Sequence, residues 1–351
     1  MKPADFCTHP SKWFGGQDKT CQVVISSRVR LARNLAGFEF LPCLSNDRRR
    51  EVLEKLRDVM LSVKLDEPVF FVDIDQASDI ERELLAERHL ISPQHVRNKG
   101  ARGAVIAAGE SFTAMINEED HLRMQVYGAG LKVQECWQRI NQIDDFVEQK
   151  VEYAFCGRFG YLTACPTNLG TGIRVSVMLH LPALKMTGEI EKFLNAARDA
   201  DLTVRGLFGE GTEALGDFYQ LSNQVTLGKS EQQIVDEFDK EAVPHIVAYE
   251  TAARQAMLKN RTSVLDDKVQ RALGVLRSAC LISSQEALFL LSQVRLGVNL
   301  GRVSDVSIAT VNELFMLTQP AHLQLRAGKT LDAEQRDSLR AQVIRSKLST
   351  N

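Results

Sequence analysis

The sequence predicts an α+β protein, a largely antiparallel sheet flanked by helices and followed by a small all-α region. Two observations carry that expectation. Between about residues 21 and 250, short β-branched runs mix with helical periodicity, without the strict alternation that a doubly wound fold requires. Beyond about residue 252 the strand signals cease and helical patterns remain. The expected organisation is a lead-in over 1–20, a mixed unit over 21–252 and a helical C-terminal unit over 253–351.

Taken in order, Gln22–Leu31, Val69–Asp75 and Ala104–Ala108 read as strands from their β-branched content. Ser78 followed by Glu81 forms a capping box that opens a helix running to about Arg88. Leu131–Val151 reads as a long helix, with Val133, Trp137, Ile140, Ile143 and Phe146 on roughly one face. Arg158–Thr163 and Ile173–Leu181 read as strands joined by the loop Ala164–Gly172. In the C-terminal unit, a second capping box at Ser283 and Glu286 opens a helix that is expected to stop at a left-handed Gly297. Asp305–Thr318 and Ala333–Leu348 complete the helical set.

The 351 residues are 44% hydrophobic and 25% charged, ordinary for a globular chain able to bury a sizeable core. A net charge of −2 supplies no global attraction to nucleic acid or to an anionic membrane, so any anion site must be a local cluster of arginine and lysine. No apolar run approaches the roughly 20 residues that span a bilayer, and the N-terminus has no secretory pattern. Seven cysteines, odd in number and never spaced CxxC, argue against a disulfide framework or structural zinc, which leaves the reducing cytosol as the expected compartment.

Four constellations could carry chemistry. In Ser26-Ser27-Arg28-Val29-Arg30 the period-two alternation of a strand puts Arg28 and Arg30 on one face, and Arg123, Arg174 and Arg205 each lie in or beside a β-type run. Planar guanidinium groups converging on one sheet face suit a polyphosphate, because phosphoryl transfer is mostly positioning and charge neutralisation. Taken singly, each reads more readily as a solvated strand residue. Two acidic sites, Asn117-Glu118-Glu119-Asp120-His121 and Gly209-Glu210-Gly211, would suit a carboxylate clamp that aims a guanidinium and takes its proton. The first is also read as a polar hairpin turn. Cys165 leaves a strand into a Gly/Thr-rich loop, as a thiolate beside a cation or a small buried residue. Finally Arg336 and Arg340 share a helix face with Asp337 close by, an anion pocket or a charge-laced surface helix.

The segments SSRVRLARN, NEEDHLRMQ, GYLTACPTNLGTG and RGLFGEG, in that order, resemble the ATP:guanidino phosphotransferases, which include arginine and creatine kinases. RDSLRA in the last helix, with no room before SSRVR for the N-terminal helical domain of small-molecule phosphagen kinases, narrows the resemblance to bacterial protein-arginine kinases. The resemblance implies a guanidino-kinase catalytic domain over 21–252. It implies that Ser26, Ser27, Arg28, Val29, Arg30, His89, Arg123, the stretch Arg174, Val175, Ser176, Val177 and Met178, and the stretch Arg205, Gly206, Leu207, Phe208, Gly209 and Glu210 line an ATP site. It further implies that Glu119 and Glu210 clamp and deprotonate the target guanidinium with Cys165 beside it. Arg336, Asp337, Ser338, Leu339, Arg340 and Ala341 would form an allosteric phosphoarginine pocket.

The implied reaction moves the γ-phosphate of ATP, with Mg²⁺ bound through the nucleotide, to arginine side chains of proteins, marking them for a Clp-type ATPase–protease in stress. A kinase for free arginine or another small guanidino compound, and an inactive phosphoarginine-binding adaptor, are the competing readings. The resemblance also implies a homodimer and a small zinc-containing activator of the McsA type. The amphipathic helices of residues 266–318 are the expected dimer surface, and the charge balance and the lack of long apolar runs leave no expected nucleic-acid or membrane partner.

Overall fold

A computed structural model of the chain describes residues 3–8, 11–14, 16, 19–206 and 215–349. In chain order the sheet region contains β1 (Val24–Arg33), α1 (Asn46–Leu61), β2 (Val69–Asp73), α2 (Asp79–Glu87), α3 (Pro93–Arg97), β3 (Gly103–Ala107), β4 (Phe112–Ile116), β5 (Leu122–Ala129) and α4 (Val133–Glu148). It continues with β6 (Phe155–Cys156), β7 (Gly160–Tyr161), β8 (Ile173–His180), α5 (Pro182–Thr187), α6 (Ile190–Asp199), β9 (Leu202–Gly206), β10 (Phe218–Asn223) and α7 (Glu231–Glu237). Helices α8 (Val243–Asn260), α9 (Thr262–Ser278), α10 (Ser284–Asn299), α11 (Ile308–Leu317), α12 (Pro320–Ala327) and α13 (Ala333–Leu348) follow.

Eight strands form one sheet in the order β2-β3-β4-β5-β1-β8-β10-β9, every pairing antiparallel. β1 sits near the middle, between β5 and β8. Its alternation separates two environments. Val29 and Leu31 are buried in a core that includes Val126, Val175 and Val177 and is covered by α1 and α4, whose Leu56, Ile140 and Val147 point into it. The other face is apolar towards β2–β4, where Ile106 and Met115 pack with Leu84 and Leu85 of α2. Towards β8–β10 it carries the polar Arg174, Ser176, Gln220 and Ser222, with Phe218 at one end packed on Phe14 and Phe315.

Several boundaries differ from expectation for identifiable reasons. The stretch 158–163 contributes only Gly160–Tyr161 to a two-residue ladder with Phe155–Cys156, and this hairpin stands apart from the main sheet. The box at Ser78 closes in both directions, whereas Ser283 accepts from the Glu286 amide without a return bond. Gly297 does not stop α10. It stays helical, while the left-handed residue is Gly301 at φ +67°. A Cβ at Gly297 would lie 2.4 Å from Cγ1 of Val269, so this glycine lets α10 approach α9 closely.

The helical region is packed firmly onto the sheet. Arg295 of α10 is buried and donates to the carbonyls of Cys21 (2.7 Å) and Gln22 (3.1 Å). Glu250 of α8 accepts the Ala183 and Leu184 amides at the start of α5, and its partner Arg254 donates to His180 O. Residues 252 and 253 fall inside α8, and one apolar cluster runs from β1 through α10 to Val343 and Ile344 of α13.

Alanine at position 297 should test the close approach. Replacing glycine in a helix gains at most about 1 kcal/mol of propensity, but overlap with a stiff β-branched neighbour costs roughly 1–3 kcal/mol. Gly297→Ala is expected to lower the denaturation midpoint, and Val269→Ala in the same chain to recover part of the loss.

Candidate active site

Register brings the five arginines together. Arg28 lies opposite Tyr127 of β5 and Ser176 of β8, and Arg30 lies opposite Gln125 and Arg174. Arg123 faces Ala32, two residues further along β1, and Arg205 of β9 faces Gln220, which itself faces Met178. Directly opposed residues share a face, so Arg28, Arg30, Arg123, Arg174 and Arg205 all project from the side of the sheet away from α1 and α4. The cost of this crowding falls on Arg30. Burial, with the guanidinium groups of Arg123, Arg28 and Arg174 around it, pushes its pKa well below the ordinary arginine value. Its Nε is buried with no hydrogen-bond partner among the described residues. Glu118 offsets the crowding only in part, which favours an anion at this point of the face.

One end of this face is aromatic. Ser26, Arg28, Ser176, Met178 and Gln220 line a small recess with Trp13, His89 and Tyr127. Trp13 stacks on Tyr127 at 5.7 Å and meets His89 edge-on at 5.3 Å. Arg28 Nε donates to Ser176 Oγ at 3.3 Å. His89 is held at φ +59° because its carbonyl accepts from both Gln125 Nε2 (3.2 Å) and the Tyr127 hydroxyl. Burial and the nearby Arg28 lower its pKa to about 3, so its imidazole is neutral at pH 7. The two residues before it face elsewhere. Glu87 accepts the Ala321 and His322 amides (2.7 and 3.2 Å) at the start of α12, and Arg88 pairs with Glu110 and contacts His322.

The other end is acidic. Asn117–His121 forms the β4–β5 hairpin turn, bordering a cleft of about 350 Å³ that Glu118, Glu119 and Ala164 help to line. The three acids behave differently. Glu118 is buried and accepts from Arg123 at 2.6 Å, from Ser92 Oγ and from the Glu119 amide. Burial alone would raise its pKa, but Arg123 and Ser92 outweigh that and hold it at about 2. Asp120 is buried too, and accepts from Asn34 (2.6 Å) and from the Ala164 amide (2.7 Å), which fixes the turn against the loop before Cys165. Glu119 alone of the three is partly exposed, 4.0 Å from Arg123 and 3.5 Å from Asn168 Nδ2. Cys165 is half-buried, its Sγ 3.0 Å from Thr167 Oγ1.

Other expected residues are placed as follows. Ser27, Val29, Val175 and Val177 point to the apolar face, and the Ser27 hydroxyl donates to Gly130 O and accepts the Lys132 amide. Only their backbones can border the polar face, a consequence of strand alternation that a contiguous stretch obscures. Leu207, Phe208, Gly209 and Glu210 lie outside the described residues, and Gly206 ends β9. In α13, Arg340 is buried and donates to Thr318 O (2.8 Å), Ile282 O (2.9 Å) and Asp337 (2.5 Å), which leaves Arg336 as the half-exposed cation of the pair. Ser338 is exposed, Leu339 half-buried and Ala341 buried.

Sequence reasoning missed Trp13, Tyr127, Gln125, Ser92 and the anchoring role of Asp120. Of these Asp120 and Gln125 sit within a segment singled out, but the partners of Asp120 are 44 and 86 residues away in the chain, and Gln125 reaches the carbonyls of His89 and Leu90.

Two measurements follow from the electrostatics. The carboxyl of Glu118 is depressed from an ordinary 4.5 to about 2, so it contributes stability above pH 4.5 that is lost as pH falls through about 2. Stability should therefore fall more steeply between those values than in Glu118→Gln, in denaturant titrations at fixed pH. Tripolyphosphate should raise the thermal midpoint by binding the folded state, and Arg30→Met should raise the anion-free midpoint while shrinking that increment.

Comparison with known proteins identifies the family. The family model "ATP:guanido phosphotransferase, C-terminal catalytic domain" matches residues 51–253, and "Protein-arginine kinase McsB C-terminal domain" matches 262–351. A protein-arginine kinase of Halothermothrix orenii is 42% identical, covering 97% of each chain. Another, of Desulforamulus reducens, is 44% identical over 97% of this chain and 96% of its own. Among solved structures, a lombricine kinase superposes with a TM-score of 0.58 at 29% identity, covering 68% of both chains. A chain matched along nearly its whole length in this way belongs to the ATP:guanido phosphotransferase family, among members whose helical C-terminal region is that of the McsB protein-arginine kinases.

Proposed function

We propose that this chain transfers the γ-phosphoryl group of ATP to a guanidino nitrogen of arginine side chains in proteins. The observation that carries the reading is the gradient along one sheet face, from an aromatic recess, through five arginines, to a cleft bordered by a partly exposed carboxylate. The names borne by full-length relatives support arginine in proteins as the acceptor.

In this reading the base lies against His89 and Trp13, with Ser26, Ser176 and Met178 bordering it and the backbones of Ser27, Val29, Val175, Val177 and Gly206 beneath. Arg28, Arg30, Arg123, Arg174 and Arg205 hold the phosphates, with Arg30 flanked by Arg28, Arg123 and Arg174. Mg²⁺ travels with the nucleotide and shares the neutralisation of its phosphate oxygens. Glu119 hydrogen-bonds the target guanidinium, aims one nitrogen in line with the γ-phosphorus and accepts its proton as the P–N bond forms and the P–O bond to ADP breaks. Glu210 is the second arm of this clamp, and Cys165 borders the guanidinium. Glu118 acts through Arg123, keeping that guanidinium between the phosphates and the cleft, which makes it a positioning residue.

The phosphoarginine pocket of α13 would rest on Arg336, with Arg340 fixing the helix that presents it. Marking for a Clp-type protease in stress, an McsA-type activator, a homodimer through 266–318 and a cytosolic setting complete the reading. Among the described residues no helix is long and apolar enough to cross a membrane.

The test is mass spectrometry under non-acidic handling, after incubation with ATP and an unfolded basic protein. Phosphate on arginine is expected. Glu119→Gln should lower transfer by about 10²-fold or more while ATP affinity stays within about twofold, as expected for a group acting in proton transfer. Transfer at the normal rate by that variant would remove Glu119 from the mechanism.

A further inference from the structure

The loop that carries Cys165 is flanked by an unusual concentration of exposed apolar side chains. Phe155 is 61% exposed, Phe159 40%, Val225 41% and Leu227 50%, yet all four lie on two short segments packed against the same loop. On one side is the β6–β7 hairpin. Its Tyr161 amide donates to Gly170 O at 2.8 Å, and the Phe155 ring meets Tyr161 edge-on at 5.3 Å. On the other side is the segment around Thr226, whose hydroxyl donates to Thr167 O (3.1 Å) and Leu169 O (2.7 Å).

Two glycines bring these segments together. A Cβ at Gly160 would lie 2.4 Å from Gly170 O, and one at Gly170 would lie 2.5 Å from Thr226 O and 3.1 Å from the Leu227 side chain. Both residues have positive φ, +74° and +106°, so neither space nor backbone admits a side chain there. The hairpin, the loop and the Leu227 segment are thus stacked at backbone contact. Their exposed side chains border a single loop, and they are not scattered surface residues.

The same loop reaches the acidic cleft, since Asn168 contacts Glu119 and Ala164 is tied to Asp120. Glu119 is linked to this apolar rim along the loop, through Asn168, Leu169 and Gly170. Three residues of chain span at most about 10 Å, so about three residues of extended substrate cover the same length. An isolated amino acid that fills the cleft does not reach the rim. A polypeptide threading its arginine into the cleft does.

We propose that Phe155, Phe159, Val225 and Leu227 form a docking rim for extended segments of the protein substrate, selecting arginines with apolar or aromatic side chains within about three positions. This rests on the kinase reading above and refines its substrate to unfolded chain, because apolar side chains flanking an arginine are available only when the substrate is not packed. The rim supplies apolar burial without hydrogen bonds that would demand one sequence, so selection is by hydropathy.

Two unstructured peptides test this, each with one arginine, flanked at three positions on either side by Leu and Phe or by Ser and Gly. The intact enzyme should phosphorylate the apolar peptide with about tenfold higher kcat/KM, carried by KM. In Phe155→Ser/Phe159→Ser the ratio should fall towards one, while KM for ATP, transfer to the Ser/Gly peptide and the thermal midpoint stay unchanged. Equal use of both peptides by the intact enzyme would overturn the proposal, as would an undiminished preference in the variant. If the variant instead changes oligomeric state in sedimentation, the rim is a contact between copies of this chain and the proposal falls. Failure of the intact enzyme to phosphorylate either peptide, or an unfolded protein, would count against the kinase reading itself.

Discussion

The register of β1 between its two antiparallel neighbours is the constraint on which everything else rests. A strand whose side chains alternate must give one set to the core and the other to the opposite face, and β1 gives Val29 and Leu31 to one side and Arg28 and Arg30 to the other. Because β5 and β8 pair with it without a shift along that stretch, their own cations join the same side. A slip of one residue would bury arginines under α4 and expose valines to solvent. The apolar core therefore enforces the polar site, and the energy that holds like charges together comes from packing on the reverse side of the sheet.

That division also explains the other arginine of the motif. Arg33 has the odd parity of Val29 and Leu31, and it is buried on the core side against Asp144 of α4 at 2.6 Å, with its guanidinium 3.6 Å from the Tyr161 ring. It further donates to Thr171 O, so it locks the exit of the Cys165 loop to β1. Two arginines three residues apart in one motif thus do different work, one set among cations and one neutralised. The acids of the hairpin turn divide in the same way, Glu118 taken up by Arg123 and Ser92, Asp120 by Asn34 and the Ala164 amide, and Glu119 left partly exposed at the cleft.

Much of this was legible from residues alone, where the signal is local. Parity in Ser26–Arg30, the capping box at Ser78 and the amphipathic period of α4 are properties of adjacent residues, and the structure contains each of them. The central strands β4 and β5 went unmarked because strands covered on both faces lose their alternation, and Phe112–Ile116 is buried throughout. Glycine was misleading at position 297, since a helix-stopping residue and a helix-packing residue look alike until Val269 of another helix is placed beside it. Long-range partners were out of reach in principle. Nothing near Arg340 in the chain announces that it will be consumed by the carbonyls of Thr318 and Ile282.

The end of α2 has a consequence for how the two regions of this chain can be separated. Three successive residues there serve three masters: Glu87 caps a helix of the C-terminal region, Arg88 neutralises a buried carboxylate beneath it, and His89 forms a wall of the aromatic recess. Excising the last ninety residues would strand Glu87 without the amides it accepts and open Arg88 to water, one peptide bond from the recess. The appended helices are accordingly a structural half of the enzyme's wall rather than a removable attachment, and shortened chains would report on a damaged recess before they reported on the missing region.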